Sequence, residues 1–106
     1  MSYTKHRDET IKLAVDFAAR LNAGETLASV DALRVHDADG VNVSAQFGAP
    51  TGAINGTLVE FTLADAAGPT DQVRGIYLVF CQVTTSLPQE LVETPTLVLL
   101  SEASVT

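Results

Sequence analysis

The chain has 106 residues, 46% of them hydrophobic and 18% charged, with six Lys and Arg against thirteen Asp and Glu for a formal net charge of -7. That length suits one domain with one core, and the composition excludes a disordered chain. The acidic balance argues against a nucleic-acid backbone or an anionic membrane as partner, and the lone Cys81 rules out an internal disulfide.

The first ten residues, MSYTKHRDET, are polar and charged and read as an arm. They contain no apolar stretch, so neither a signal peptide nor a membrane span is expected, and synthesis and folding in a cytoplasm follow as the expectation. Residues 11–21, IKLAVDFAARL, fit two templates. Ile11, Ala14, Val15, Ala18 and Leu21 make a helical stripe that Gly24 could end, while Ile11, Leu13, Val15 and Phe17 alternate as in a strand. Periodicity alone leans to the helix.

Gly24–Glu25 reads as a turn, followed by an irregular strand over residues 26–35 and a second turn at Ala38–Asp39–Gly40. Val41, Val43, Ala45 and Phe47 alternate with polar residues as a half-buried strand. A loop over 48–56 leads to a strand carrying Val59, Phe61 and Leu63, and a second loop covers 64–74. The strongest strand signal is residues 75–85, GIYLVFCQVTT. Tyr77, Val79, Cys81 and Val83 share one face, yet Ile76, Leu78 and Phe80 on the other face are apolar too. A strand apolar on both faces needs a cover on each, so these three are the candidate protein–protein contact. A loop over 86–95 and a strand over 96–100 close the domain, leaving residues 101–106 as a tail.

About six or seven short strands separated by turns predict an all-β fold, an immunoglobulin-like β-sandwich over residues 11–100, with an arm at 1–10 and a tail at 101–106. The expected inward residues are Val43, Phe47, Val59, Phe61, Tyr77, Val79, Val83 and Leu99, at period-two spacing. The disulfide and core Trp of antibody domains are absent, so the likeness is architectural.

No catalytic, cofactor or metal site is expected. Asp37-Ala38-Asp39 begins like a calcium loop, but Val41, Asn42 and Gly48 stand where a side-chain oxygen ligand, a glycine and a glutamate are required. His6 and His36 have no second ligand at metal spacing. Asp8, Glu9 and Asp16 are not forced into one cleft, no serine sits in a nucleophile elbow, and the glycine-containing loop 48–56 lacks a lysine to hold phosphate. Cys81 reads as a small buried hydrophobe.

Three segments are similar to tailed-phage proteins of the fiber-tail adaptor and head-neck type. These are KHRDETIKLAVDFAARL with its Asp16-Phe17 pair, the run Gly24-Glu25-Thr26-Leu27-Ala28-Ser29, and residues 75–86 with Tyr77 and a closing Val83-Thr84-Thr85-Ser86. The chain departs from that family in having Phe17 where Trp is usual, a longer loop after Ser86, and no arginine in its last strand. The resemblance implies a strand near residues 11–17 and a non-enzymatic virion structural protein. Such a protein acts as an adaptor or decoration module at the neck, tail or capsid. Its partners are other virion proteins (neck, portal, tail or capsid), repeated in a symmetric assembly, without nucleic acid, membrane or cofactor. A small carbohydrate-binding-like module is the alternative, weakened because it would stack sugars on Trp or Tyr and this chain has only Tyr3 and Tyr77.

Overall fold

The computed structural model describes residues 2–65 and 72–100. Among them, eight strands follow in chain order: β1 (Ser2–His6), β2 (Ile11–Asp16), β3 (Leu27–His36), β4 (Ala53–Asn55), β5 (Leu58–Leu63), β6 (Gly75–Thr85), β7 (Glu90–Glu93) and β8 (Thr96–Leu100). The larger sheet runs β1-β8-β6-β3, with β7 also paired to β6, and the smaller sheet runs β2-β5-β4. The two sheets bury one core between them, in a sandwich-like arrangement.

Strand β6 organises the larger sheet. One edge pairs antiparallel with β3, and the other pairs with β8 over residues 75–78 and with β7 over residues 81–84. Its alternation sends Tyr77, Val79, Cys81 and Val83 inward, where all are buried. Leu97 and Leu99 of β8 and Val35 of β3 join them, facing Val15, Val59, Phe61 and Leu63 of the smaller sheet. Phe47 packs edge-to-face on Tyr77 with ring centroids 5.5 Å apart. The expected core is therefore present, except that Val43 is only partly buried.

Residues 11–16 are a strand, as the family resemblance implied, and a single 3-10 turn, Ala18–Arg20, replaces the helical alternative. Three expectations need correction. The segment over 41–47 is not a strand: Asn42 makes one bridge to His36, and Ser44–Phe47 is a 3-10 turn. Its short polar side chains bond locally instead of leaving the backbone to a ladder. The Asn42 Oδ1 accepts from the Ser44 amide at 3.0 Å, and the Ser44 Oγ accepts from the Val35 amide at 2.9 Å. Gly48 ends that turn at φ 81°, and a Cβ there would meet the Ala64 Cβ at 2.9 Å. Second, the loops over 48–56 and 86–95 contain the short strands β4 and β7. Third, residues 2–6 are not an arm but the edge strand β1, parallel to β8. The tail, residues 101–106, and part of the 64–74 loop lie outside the described residues.

Strand β1 joins the sandwich because its alternate residues have partners inside. The Tyr3 hydroxyl donates to the Ala14 carbonyl of β2, linking the edges of the two sheets. Lys5 is 0% exposed. Its ammonium has three donors, and three oxygens receive them: Gln72 Oε1 at 2.7 Å and the carbonyls of His6 and Arg7 at 3.0 and 3.3 Å. Gln72, also buried, donates through its amide nitrogen to the Gln46 and Ala64 carbonyls at 2.8 and 2.7 Å. Burial pushes the Lys5 pKa down, and the fields of Glu9, Asp65 and Asp8 push it back up. A second buried polar cluster holds the turn before β3. Glu25 accepts from the Asn22 amide at 2.8 Å and from the Thr85 hydroxyl. The Thr85 oxygen in turn accepts from the Gln89 amide at 3.0 Å, closing the β6–β7 connection.

Lys5→Met keeps the buried stem but leaves Gln72 Oε1 and two carbonyls without their donor. It should cost about 1–3 kcal/mol in a denaturant melt, and no loss would show that the cluster adds nothing to stability. The Asn22 amide, followed by the Thr85 hydroxyl, holds the Glu25 carboxyl below the usual carboxylate range. Its folded form therefore resists protonation more than its unfolded form. The stabilisation is present at neutral pH and lost as pH falls through the folded value. Glu25→Gln should lower the melting temperature at neutral pH, with the gap to wild type narrowing as pH falls below the usual carboxylate range.

Candidate outer-sheet interface

The alternation that buries Tyr77 and Val79 turns Ile76, Leu78 and Phe80 outward. Ile76 is 60% exposed and Leu78 45%. Ile76 lies opposite Val98 of β8, and Leu78 lies opposite Thr96 of β8 and His36 of β3. The partly buried Val98 extends the apolar surface; its signal in the sequence was the alternation of TLVLL with Leu97 and Leu99 taken inward.

Phe80 differs from its two neighbours. The Arg34 guanidinium, on the facing position of β3, lies 4.4 Å from its ring centroid, and the His36 ring stacks on it at 6.4 Å with a 23° interplanar angle. Phe80 is therefore half-buried by the chain's own side chains. Sequence reading placed all three apolar residues on one face but did not find the Arg34 and His36 cover, which comes from a strand more than forty residues earlier. At one end of the face is a shallow cavity of about 310 Å³, bordered by Asp37, Asp39, Val73, Arg74, Ile76 and Tyr77.

The groups singled out for chemistry sit in structural roles. Asp37 Oδ1 accepts from the amides of Asp39 and Val41, both at 2.9 Å, so its carboxylate closes the turn at Gly40. Glu9 accepts from the His6 amide at 2.6 Å, and Asp16 accepts from the Ala18 amide and the Thr57 hydroxyl at 2.9 and 3.0 Å. Among the described residues no three His, Cys, Asp or Glu side chains group as metal ligands. Cys81 is buried, and burial, followed by Glu93, pushes its thiol up to about 11, which keeps it protonated and unreactive.

The podophage GP4 fiber-tail adaptor protein gp77 family matches residues 5–98. The chain belongs to this family. The matched stretch starts at Lys5 in β1 and ends at Val98 in β8, so this adaptor family covers both sheets, the buried polar clusters and the outward face of β6. No curated protein matches the chain.

The different surroundings of the three outward residues separate in mutants. Ile76→Asp with Leu78→Asp should stay within about 0.5 kcal/mol per site of the wild type, as surface substitutions do. Phe80→Asp removes the ring under Arg34 and His36 and should cost more, at least the roughly 0.5–1 kcal/mol of the cation–π contact. Thermal melts of the purified protein check both, and a double mutant that unfolds would put Ile76 and Leu78 in the core.

Proposed function

We propose that this chain is a non-enzymatic structural protein of a tailed-phage virion, an adaptor that joins other virion proteins through the outward face of its larger sheet. Ile76 and Leu78 form the contact, backed by Phe80. Membership of the fiber-tail adaptor family supports the role, and the observation that carries the site is the pair of large apolar side chains left exposed on the central strand of a sheet whose other face packs on the core. Full burial contributes roughly 1.5–3 kcal/mol for each such side chain, enough to matter where a contact repeats around a symmetric particle. The partners are neck, portal, tail or capsid proteins, and nucleic acid and membrane play no part in binding.

The sandwich is of immunoglobulin-like type in this reading. Strands β2, β5 and β4 stand as B, E and D, and β3, β6 and β8 as C, F and G, with β1 moved beside the last strand. The Tyr77 hydroxyl donates to the Val73 carbonyl four residues upstream, as in a tyrosine corner. A carbohydrate-binding role is disfavoured, because Tyr3 and Tyr77 both turn inward and bond backbone carbonyls.

Complementation tests the proposal. A phage lacking this protein is grown on cells supplying either the wild-type chain or Ile76→Asp/Leu78→Asp, and purified particles are assayed for the protein. The double mutant should fold but be missing from particles; incorporation at the wild-type level would place the interface elsewhere.

A further inference from the structure

The centre of the outward face of the larger sheet carries a cation, Arg34, opposite Phe80. Around Ile76 and Leu78 the outward positions are Thr4, Thr96 and Val98 on one side and Arg34 and His36 on the other, with His6 at the end of β1. None is acidic, in a chain where acids outnumber Lys and Arg thirteen to six. The acids stand at the two ends of the face. Beside Ile76, Asp37 and Asp39 border the cavity, with the Asp37 carboxylate taken up by the turn amides. At the far end Asp31 accepts from the Ser29 and Thr84 hydroxyls, and Glu90 stands beside Thr84.

Arg34 also differs from Lys12 and Arg20. Lys12 pairs with Glu60 at 3.7 Å and Arg20 with Glu93 at 2.9 Å. Among the described residues Arg34 has no carboxylate partner. Its guanidinium lies on Phe80, and neither its Nε nor the Nε2 of His36 makes a hydrogen bond. A partner seated on Ile76 and Leu78 would strip the remaining water from both side chains. A desolvated guanidinium that finds no acceptor is strongly unfavourable, whereas one held flat on an aromatic ring is pre-organised to receive a carboxylate in its fork.

We propose, building on the docking role above, that the partner on this face is a protein surface with an apolar centre and carboxylates placed to meet Arg34 and His36. The net charge of -7 would by itself predict a basic partner. At the contact itself Arg34 overrides it, because charges beyond about 8–10 Å are screened at physiological salt while those at the contact are not.

The test uses purified, nuclease-treated particles from a phage lacking this protein as the binding probe, with the full chain added back at increasing concentration. Arg34→Glu and Thr4→Glu should each weaken binding about tenfold or more. Lys12→Glu, the same charge change as Arg34→Glu but on the outer face of the other sheet, should bind like the wild type. Thermal melts confirm that each variant is folded, and the exposed Thr4 serves if Arg34→Glu is not. If both variants bind normally while Ile76→Asp/Leu78→Asp does not bind, the face is the interface but its partner is not acidic. If the apolar double mutant also binds normally, the docking role itself fails. Loss of wild-type binding on nuclease treatment would make the partner a nucleic acid and overturn the proposal.

Discussion

Side-chain alternation along β6 is the constraint on which the rest of the fold depends. A central strand has two faces, and this one is apolar on both between Ile76 and Phe80. The smaller sheet can cover only one of them, and it covers Tyr77, Val79, Cys81 and Val83 completely enough that Phe47, Val59 and Phe61 pack with no exposed remainder of any size. No element of the described chain lies over the other face. What the chain does supply is local: Arg34 and His36 fold onto Phe80, and Ile76 and Leu78 are left to solvent. The same geometry that completes the core thus creates the surface through which we propose the adaptor acts.

The buried polar clusters make that arrangement possible in a small domain. Two sheets facing each other leave open ends where backbone groups must still find partners. Lys5 and Gln72 provide them at one end, drawing β1, the Ser44–Phe47 turn and the strand-connecting segment near Ala64 together through carbonyls. Glu25 and Thr85 do the same for the turn before β3 and the connection into β7. An inward lysine on the edge strand has a further consequence: it discourages another strand from pairing with β1, since inward charges are one of the ways natural sheets protect their edges. The face, rather than the edge, is left as the adhesive surface.

How much of this was legible in the sequence depended on whether the cause was local. The bounds of β6 and β8 and the inward residues of β5 followed from period-two alternation alone. The strand at Ile11–Asp16 did not, because IKLAVD satisfies both periods and only its pairing with β5 decides between them. The segment at 41–47 alternates as well as any strand, yet Asn42 and Ser44 capture the backbone for a turn. Strand β1 was hidden for a different reason. Lys5 reads as solvated in any local window, and its burial depends on Gln72, sixty-seven residues away. The candidate surface was legible as three apolar residues on one face, but the inequality among them was not, since Arg34 reaches Phe80 only through the β3–β6 register.

If the proposed adaptor role holds, the outward face of β6 is covered in the assembled particle. Cysteine labelling measures this directly, because the native Cys81 is buried with its thiol held protonated, which disfavours reaction with a maleimide. Leu78→Cys and, as a reference on the opposite sheet, Lys12→Cys are treated with a maleimide in the free protein and in purified particles. Position 78 should react in the free protein and be protected in particles, while position 12 reacts in both. Equal labelling of position 78 in the two states would contradict a covered face.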